Sequence, residues 1–248
     1  MCLNWGCFIK ELYDYCTYVP PRPVPPSVDP QPPLPPSVVN PQSRESYPTP
    51  PTRVPIPDDL PPSYDTVVAF LSREHYSNNN PNTLRKGGYE YTIPRGWVRV
   101  RIQTDRAQSQ QKKIFQRWAT SYYGTCEKKL EQILRNRFIP LPGDLLNDGE
   151  IFSDHSGYEQ QWLTSPSINY ASDLRYSPIK TFILPDRRGE IYTVQVVLQY
   201  KQKPGTFSIH PGRPGLCDII PADEIEWMSN QRSTLIPYGL MIRMSKRY

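Results

Sequence analysis

Residues 120–138 read TSYYGTCEKKLEQILRNRF, and a change of period inside this stretch decides the fold class. Thr120 to Tyr123 is a short run of small, β-branched and aromatic side chains, which is strand composition. From Glu127 the spacing lengthens. Leu130, Ile133, Leu134 and Phe138 fall at i, i+3, i+4 and i+8, the stripe of an amphipathic helix, with Thr125 placed to cap its start. Upstream, EYTIPRGWVRVRIQ (90–103) alternates Val98, Val100 and Ile102 with Arg99 and Arg101, a second strand, and Gln108 to Trp118 reads as a polar helix. Past Pro142-Gly143-Asp144 the chain reads as loop. Tyr192, Val194, Val196, Leu198 and Tyr200 then alternate with Thr193, Gln195, Val197 and Gln199, a strand apolar on one side and mixed on the other. Gly239 to Met244 makes a further strand. Strands outnumber helices, so residues 86–248 are expected to form one α+β domain of about 160 residues, large enough for a single core.

The chain ahead of that domain is different matter. Of 30 prolines, 18 lie between Pro20 and Pro62, a density that blocks helices and central strands. Residues 19–85 are therefore expected to be a disordered, polyproline-rich tail that ends in a polar, asparagine-rich linker. Up to Asp65 four basic residues face seven acidic ones, a net charge of −3; the remaining 25 basic and 17 acidic residues give +8. The positive residues are interleaved with acids, so a solvated surface is expected and nucleic acid is not. Pro61-Pro62-Ser63-Tyr64 fits PPxY, whose prolines lie across the aromatic groove of a WW domain while the tyrosine fills an adjacent pocket. A WW-domain protein, a ubiquitin ligase among the candidates, is the expected partner. Pro48 to Arg53 also fits the looser PxxPxR pattern.

Residues 1–18, MCLNWGCFIKELYDYCTY, lack the uninterrupted apolar core of a secretory signal, and no run of 18 apolar residues occurs anywhere. An intracellular, cytoplasmic protein is expected. Cys2 and Cys7, beside Trp5 and Phe8, are candidates for acylation and peripheral membrane contact; a short partner-binding segment with incidental thiols is the competing reading. The five cysteines contain no CxxC pair, so neither a zinc site nor a disulfide framework is expected.

Three segments hold polar and aromatic residues that periodicity leaves unexplained: Ser121-Tyr-Tyr-Gly-Thr125 with its following helix, Thr164-Ser-Pro-Ser-Ile-Asn-Tyr170-Ala-Ser172, and Glu226 through Pro237-Tyr-Gly-Leu240. Their order and content resemble the poly(ADP-ribose) polymerase-like, diphtheria-toxin-type ADP-ribosyltransferases, in which a YHGT strand precedes an amphipathic helix, an S-x-S-x2-Y segment follows, and a glutamate opens a strand leading to a P-x-Y-L ending. The resemblance runs from about Trp97 to the carboxyl terminus. It implies a split β-sandwich with few helices that holds NAD: nicotinamide stacked on Tyr170, its carboxamide on the backbone of Gly124, Ser165 among the cofactor contacts, and Glu226 as the catalytic carboxylate, with Glu224 the alternative if the register slips. Tyr123 stands where the family has histidine, and the tyrosine of the ending comes one place early. Loss of that histidine usually accompanies loss of transferase activity.

The expected function is accordingly an ADP-ribosyltransferase-like binding module, weakly active or inactive, recruited through Pro61, Pro62 and Tyr64. An active mono-ADP-ribosyltransferase using Glu226 and NAD is one alternative. A PPxY-bearing scaffold or viral matrix-type protein without NAD chemistry is the other.

Overall fold

The computed structural model describes residues 76, 80–136, 139–146, 149–152, 160–183 and 190–247. The chain divides into two units, Tyr18–Pro61 and the rest, and the described residues all belong to the second. Cys2, Cys7, the proline-rich segment, the PPxY residues Pro61, Pro62 and Tyr64, and Phe138 lie outside the described residues.

The described chain opens on a hairpin of β1 (Thr83–Lys86) and β2 (Tyr89–Thr92), so the fold begins ahead of residue 86. Gly87 and Gly88, both at positive φ (60° and 89°), supply the two-residue turn that matches strand twist. A Cβ on Gly87 would stand 2.5 Å from the Ala119 nitrogen, so glycine also lets the turn lie against that stretch of backbone.

β3 (Val98–Arg101) follows, then α1 (Arg106–Gln111) and α2 (Ile114–Arg117). The single polar helix expected over 108–118 is thus two. Asp105 caps α1 by accepting from the Gln108 N–H, but no α1 residue is buried. A left-handed Lys113 (φ 49°) breaks the run and turns Ile114 into the core. β4 (Ala119–Gly124) and α3 (Glu127–Asn136) match the opening pattern, with Leu130 and Ile133 buried. Thr125 is not the cap of α3: the Leu130 N–H donates to the Cys126 carbonyl, and the Thr125 hydroxyl donates to that same carbonyl.

The segment read as loop holds three short elements, β5 (Trp162–Thr164), α4 (Ile168–Ala171) and β6 (Lys180–Ile183). β7 (Ile191–Gln202), β8 (Ser208–His210), a 3-10 turn at Ala222–Glu224, β9 (Glu226–Ser229) and β10 (Leu235–Arg247) complete the described chain.

Pairing among these strands is antiparallel. One sheet runs β3-β10-β7-β4, with β6 also on β7; the other runs β5-β9-β8. Among the described residues these two sheets meet at a single bridge, Tyr122 to Ser165, made by a pair of backbone hydrogen bonds of 2.7 and 2.9 Å. The long strand β7 is buried on both faces. Val194, Val196, Leu198 and Tyr200 pack with α3 in the main core, and Val197 packs on the other side with Tyr91, Trp97, Tyr122 and Met241. Its "mixed" face is therefore interior: Gln195, Gln199 and Lys201 are each under 5% exposed. The fold is α+β with few helices. Among the described residues no helix is long and apolar enough to cross a membrane.

Candidate functional site

The bridge between the sheets positions the site. Tyr122 directs its N–H and C=O away from β7 toward Ser165. Backbone polar groups alternate sides along a strand, so Gly124, two residues on, directs its own N–H and C=O the same way. There the sheets have diverged, and Gly124 faces a narrow cleft lined also by Tyr122, Tyr123, Lys129, Tyr170 and Tyr176. A Cβ on Gly124 would stand 2.2 Å from the Ala171 carbonyl oxygen and 2.5 Å from Tyr176 Cβ, so only glycine allows α4 to approach β4 this closely.

α4 is one turn long and needs local anchoring to form. Ser165 accepts from the Ser167 N–H (3.1 Å), Ser167 caps the helix by accepting from the Tyr170 N–H (3.3 Å), and Thr92 Oγ1 accepts from the Ile168 N–H (3.0 Å). The Ser165 hydroxyl is thus engaged in shaping the turn. Tyr170, 2% exposed, is carried inward among Ile220 and Ile225.

There Tyr170 meets Glu226, the first residue of β9. Its hydroxyl donates to Glu226 Oε1 and accepts from the Arg213 N–H (3.1 Å). Burial, then the carboxylate, push the phenol far above the ordinary tyrosine range, so it stays a donor. Gly212 lies flat over the pair: a Cβ there would stand 2.6 Å from the Tyr170 hydroxyl and 2.9 Å from Glu226 Cγ. A Gly212 N–H to Ala222 carbonyl bond of 2.7 Å pins this strap in place.

Gly124, Tyr170, Ser165 and Glu226, read from separate segments, therefore lie in one neighbourhood. Tyr123 lines the cleft but belongs to the main core, its ring edge-on to Tyr200 at 6.1 Å. Glu224 is displaced from its expected place. It ends the 3-10 turn instead of sharing a strand face with Glu226, its carbonyl accepts from the Trp227 indole, and it borders a different groove with Tyr89 and Ile220. The proline of the turn, Pro221, and the tight 3-10 geometry take residues 222–224 out of the strand.

The sequence reading missed two participants. Gly212 lies in a glycine- and proline-rich loop with no pattern to mark it. His210 pairs with Glu226 across β8 and β9, with its Nε2 2.8 Å from Ser208 Oγ, on an exposed strand only three residues long.

The cleft encloses about 20 Å³, space for roughly one water. That space is smaller than a nicotinamide ring, and Tyr170, on its wall, is held by Glu226 and Arg213. No family model, curated protein or solved structure matches the chain.

Proposed function

We propose that this chain is an ADP-ribosyltransferase-like module of the split β-sandwich type, non-catalytic because its dinucleotide cleft is closed, and recruited to WW-domain proteins, ubiquitin ligases among them, by Pro61, Pro62 and Tyr64. One observation carries the reading: Tyr170 hydrogen-bonds Glu226 beside the open backbone edge of Gly124. The motif order of that family puts an aromatic ring, a carboxylate and a glycine edge around one ligand. Here the same three residue types converge, the tyrosine and the glutamate from segments 56 residues apart.

The same contact argues against turnover. A stacking tyrosine must offer a ring face, and a ribose-binding carboxylate must offer an oxygen, yet these two are engaged with each other under the Gly212 strap. Tyr123, in the histidine place, is packed against Tyr200. The domain is read as a fold kept for presentation and binding, with the chemistry lost. Incubating the full chain with radiolabelled NAD tests this: no incorporation is expected, and label that appears in the wild type and disappears in Glu226→Gln makes the protein an active transferase.

A further inference from the structure

Acids interleave with cations over most of the domain, but between Glu90 and Glu127 they do not. That stretch holds seven cations and one acid, Asp105, whose carboxylate caps α1 by accepting from the Gln108 N–H at 3.1 Å. Five of the cations, Arg101, Arg106, Lys112, Lys113 and Arg117, fall within residues 101–117 and are all exposed. None of the five has an ion pair or a side-chain hydrogen bond among the described residues.

The local structure keeps these charges together. α1 and α2 have six and four residues, about 9 and 6 Å of helix at about 1.5 Å per residue, so the ends of the run stay close. Left-handed Lys113 turns Ile114 into the core and leaves Lys112 and Lys113 outside at the corner, with Arg117 one helical turn beyond. The end of β3 is tied to the same place. The Ile102 N–H donates to the Tyr238 carbonyl at 3.1 Å, and Phe115 of α2 packs edge-on against the Tyr238 ring at 5.7 Å. Like charges gathered this way repel, and α1, which buries no residue, returns nothing to the core. The segment therefore has the make-up of a contact surface for a polyanion.

The side chains between the cations narrow the class of polyanion. Gln103, Gln110, Gln111 and Gln116 are exposed, and their amides, each a donor and an acceptor, have no side-chain partner among the described residues. Phe115, 42% exposed, adds an aromatic surface in their midst. Single-stranded RNA meets all three: its phosphates suit ammonium and guanidinium groups, its 2′-hydroxyls suit amides, and its unpaired bases stack on a ring. An anionic membrane matches less well, because Phe115 is the only large apolar side chain exposed within residues 101–117. We infer that residues 101–117 form a binding surface for single-stranded RNA. Arg101, Arg106, Lys112, Lys113 and Arg117 hold phosphates, and Phe115 takes a base. Phosphate contacts carry no sequence information, so binding is broad in sequence.

The test is fluorescence anisotropy of the full chain with a labelled oligouridine of about 20 nucleotides, across about 50–200 mM salt. Saturable binding is expected, with a log–log salt slope of about −3, from four or five phosphates at about −0.7 each. Lys112→Gln/Lys113→Gln should weaken binding about tenfold and make the slope shallower by about 1.4, the share of two phosphates. Phe115→Ala should weaken it about fivefold or more and leave the slope unchanged. Lys180→Gln, an exposed lysine on β6 outside the segment, should alter neither. The lysine substitutions are on the surface, so they decide alone if Phe115→Ala does not fold. Absence of saturable binding overturns the inference, as does a salt slope that Lys112→Gln/Lys113→Gln leaves unchanged or an equal loss in Lys180→Gln. Equal affinity for an RNA duplex or for oligodeoxythymidine, or binding to phosphatidylserine vesicles in place of RNA, overturns it too.

Discussion

Replacing Tyr170 by phenylalanine removes a single oxygen and two hydrogen bonds, one buried and one part-buried. Glu226 loses a donor to a charged acceptor, and the Arg213 N–H loses its acceptor. A hydrogen bond to a charged group contributes about 1.5–3 kcal/mol and a neutral one about 0.5–1.5 kcal/mol, and with Tyr170 and Glu226 only 2% and 8% exposed, water does not easily replace the bond to Glu226. The expected cost is about 2–4 kcal/mol, or roughly 4–16 °C in unfolding midpoint for a domain of this size. The ring and its packing against Tyr176 are retained, so the change reports on the hydroxyl. Glu226→Gln keeps an acceptor and should cost less. Thermal and urea unfolding of the two single variants and the double variant then give the coupling, expected at about 1–2 kcal/mol, because the second substitution removes a partner already lost. A midpoint shift below about 1 °C for Tyr170→Phe, or additive single effects within about 0.3 kcal/mol, refutes the closed pair.

Lys201 predicts an alkaline rise in stability. Burial lowers its pKa from 10.5 to about 8, so the unfolded chain binds more protons than the folded one between those values and stability increases as pH climbs through that window. Below the window the lowered pKa costs about 3 kcal/mol, so urea midpoints should rise from about pH 7.5 to about pH 9.5 in the wild type and stay level in Lys201→Met; parallel profiles would remove the buried charge from the account. In the tail, Tyr64→Ala should weaken WW-domain binding about tenfold or more, measured by fluorescence anisotropy on the full chain, and unchanged affinity would make the PPxY match incidental.

Where local pattern and tertiary need agree, the fold was legible in the sequence. The β4–α3 unit is the clearest case, because the helical stripe of Leu130 and Ile133 is long enough to show its period. β5, α4 and β6 were not, since elements of three or four residues carry no period; α4 exists through Ser165, Ser167 and Thr92, three hydroxyls from two segments. β7 was found but its second face was misjudged. Gln195 looks like a solvent residue, yet its amide donates to the Ser172 and Ser177 carbonyls at 2.6 Å, holding the loop after α4 over the sheet. The site follows the same logic. Gly124, Tyr170 and Glu226 could be chosen because their neighbours form ordered motifs. Closure of the cleft could not, because it depends on Gly212 and Arg213, whose loop has no pattern and matters only once β8 and β9 lie beside α4. Lys201 was hidden for a related reason: its neighbours Lys86, Arg99 and Tyr238 come from three distant strands.

Calorimetric titration of NAD into the wild-type full chain tests the closed, non-catalytic site most directly. The account predicts no saturable heat at NAD concentrations up to the millimolar range, because Tyr170 and Glu226 are bound to each other and the cleft beside Gly124 has room for about one water. One-to-one binding with a micromolar Kd, abolished by Tyr170→Ala, would contradict it.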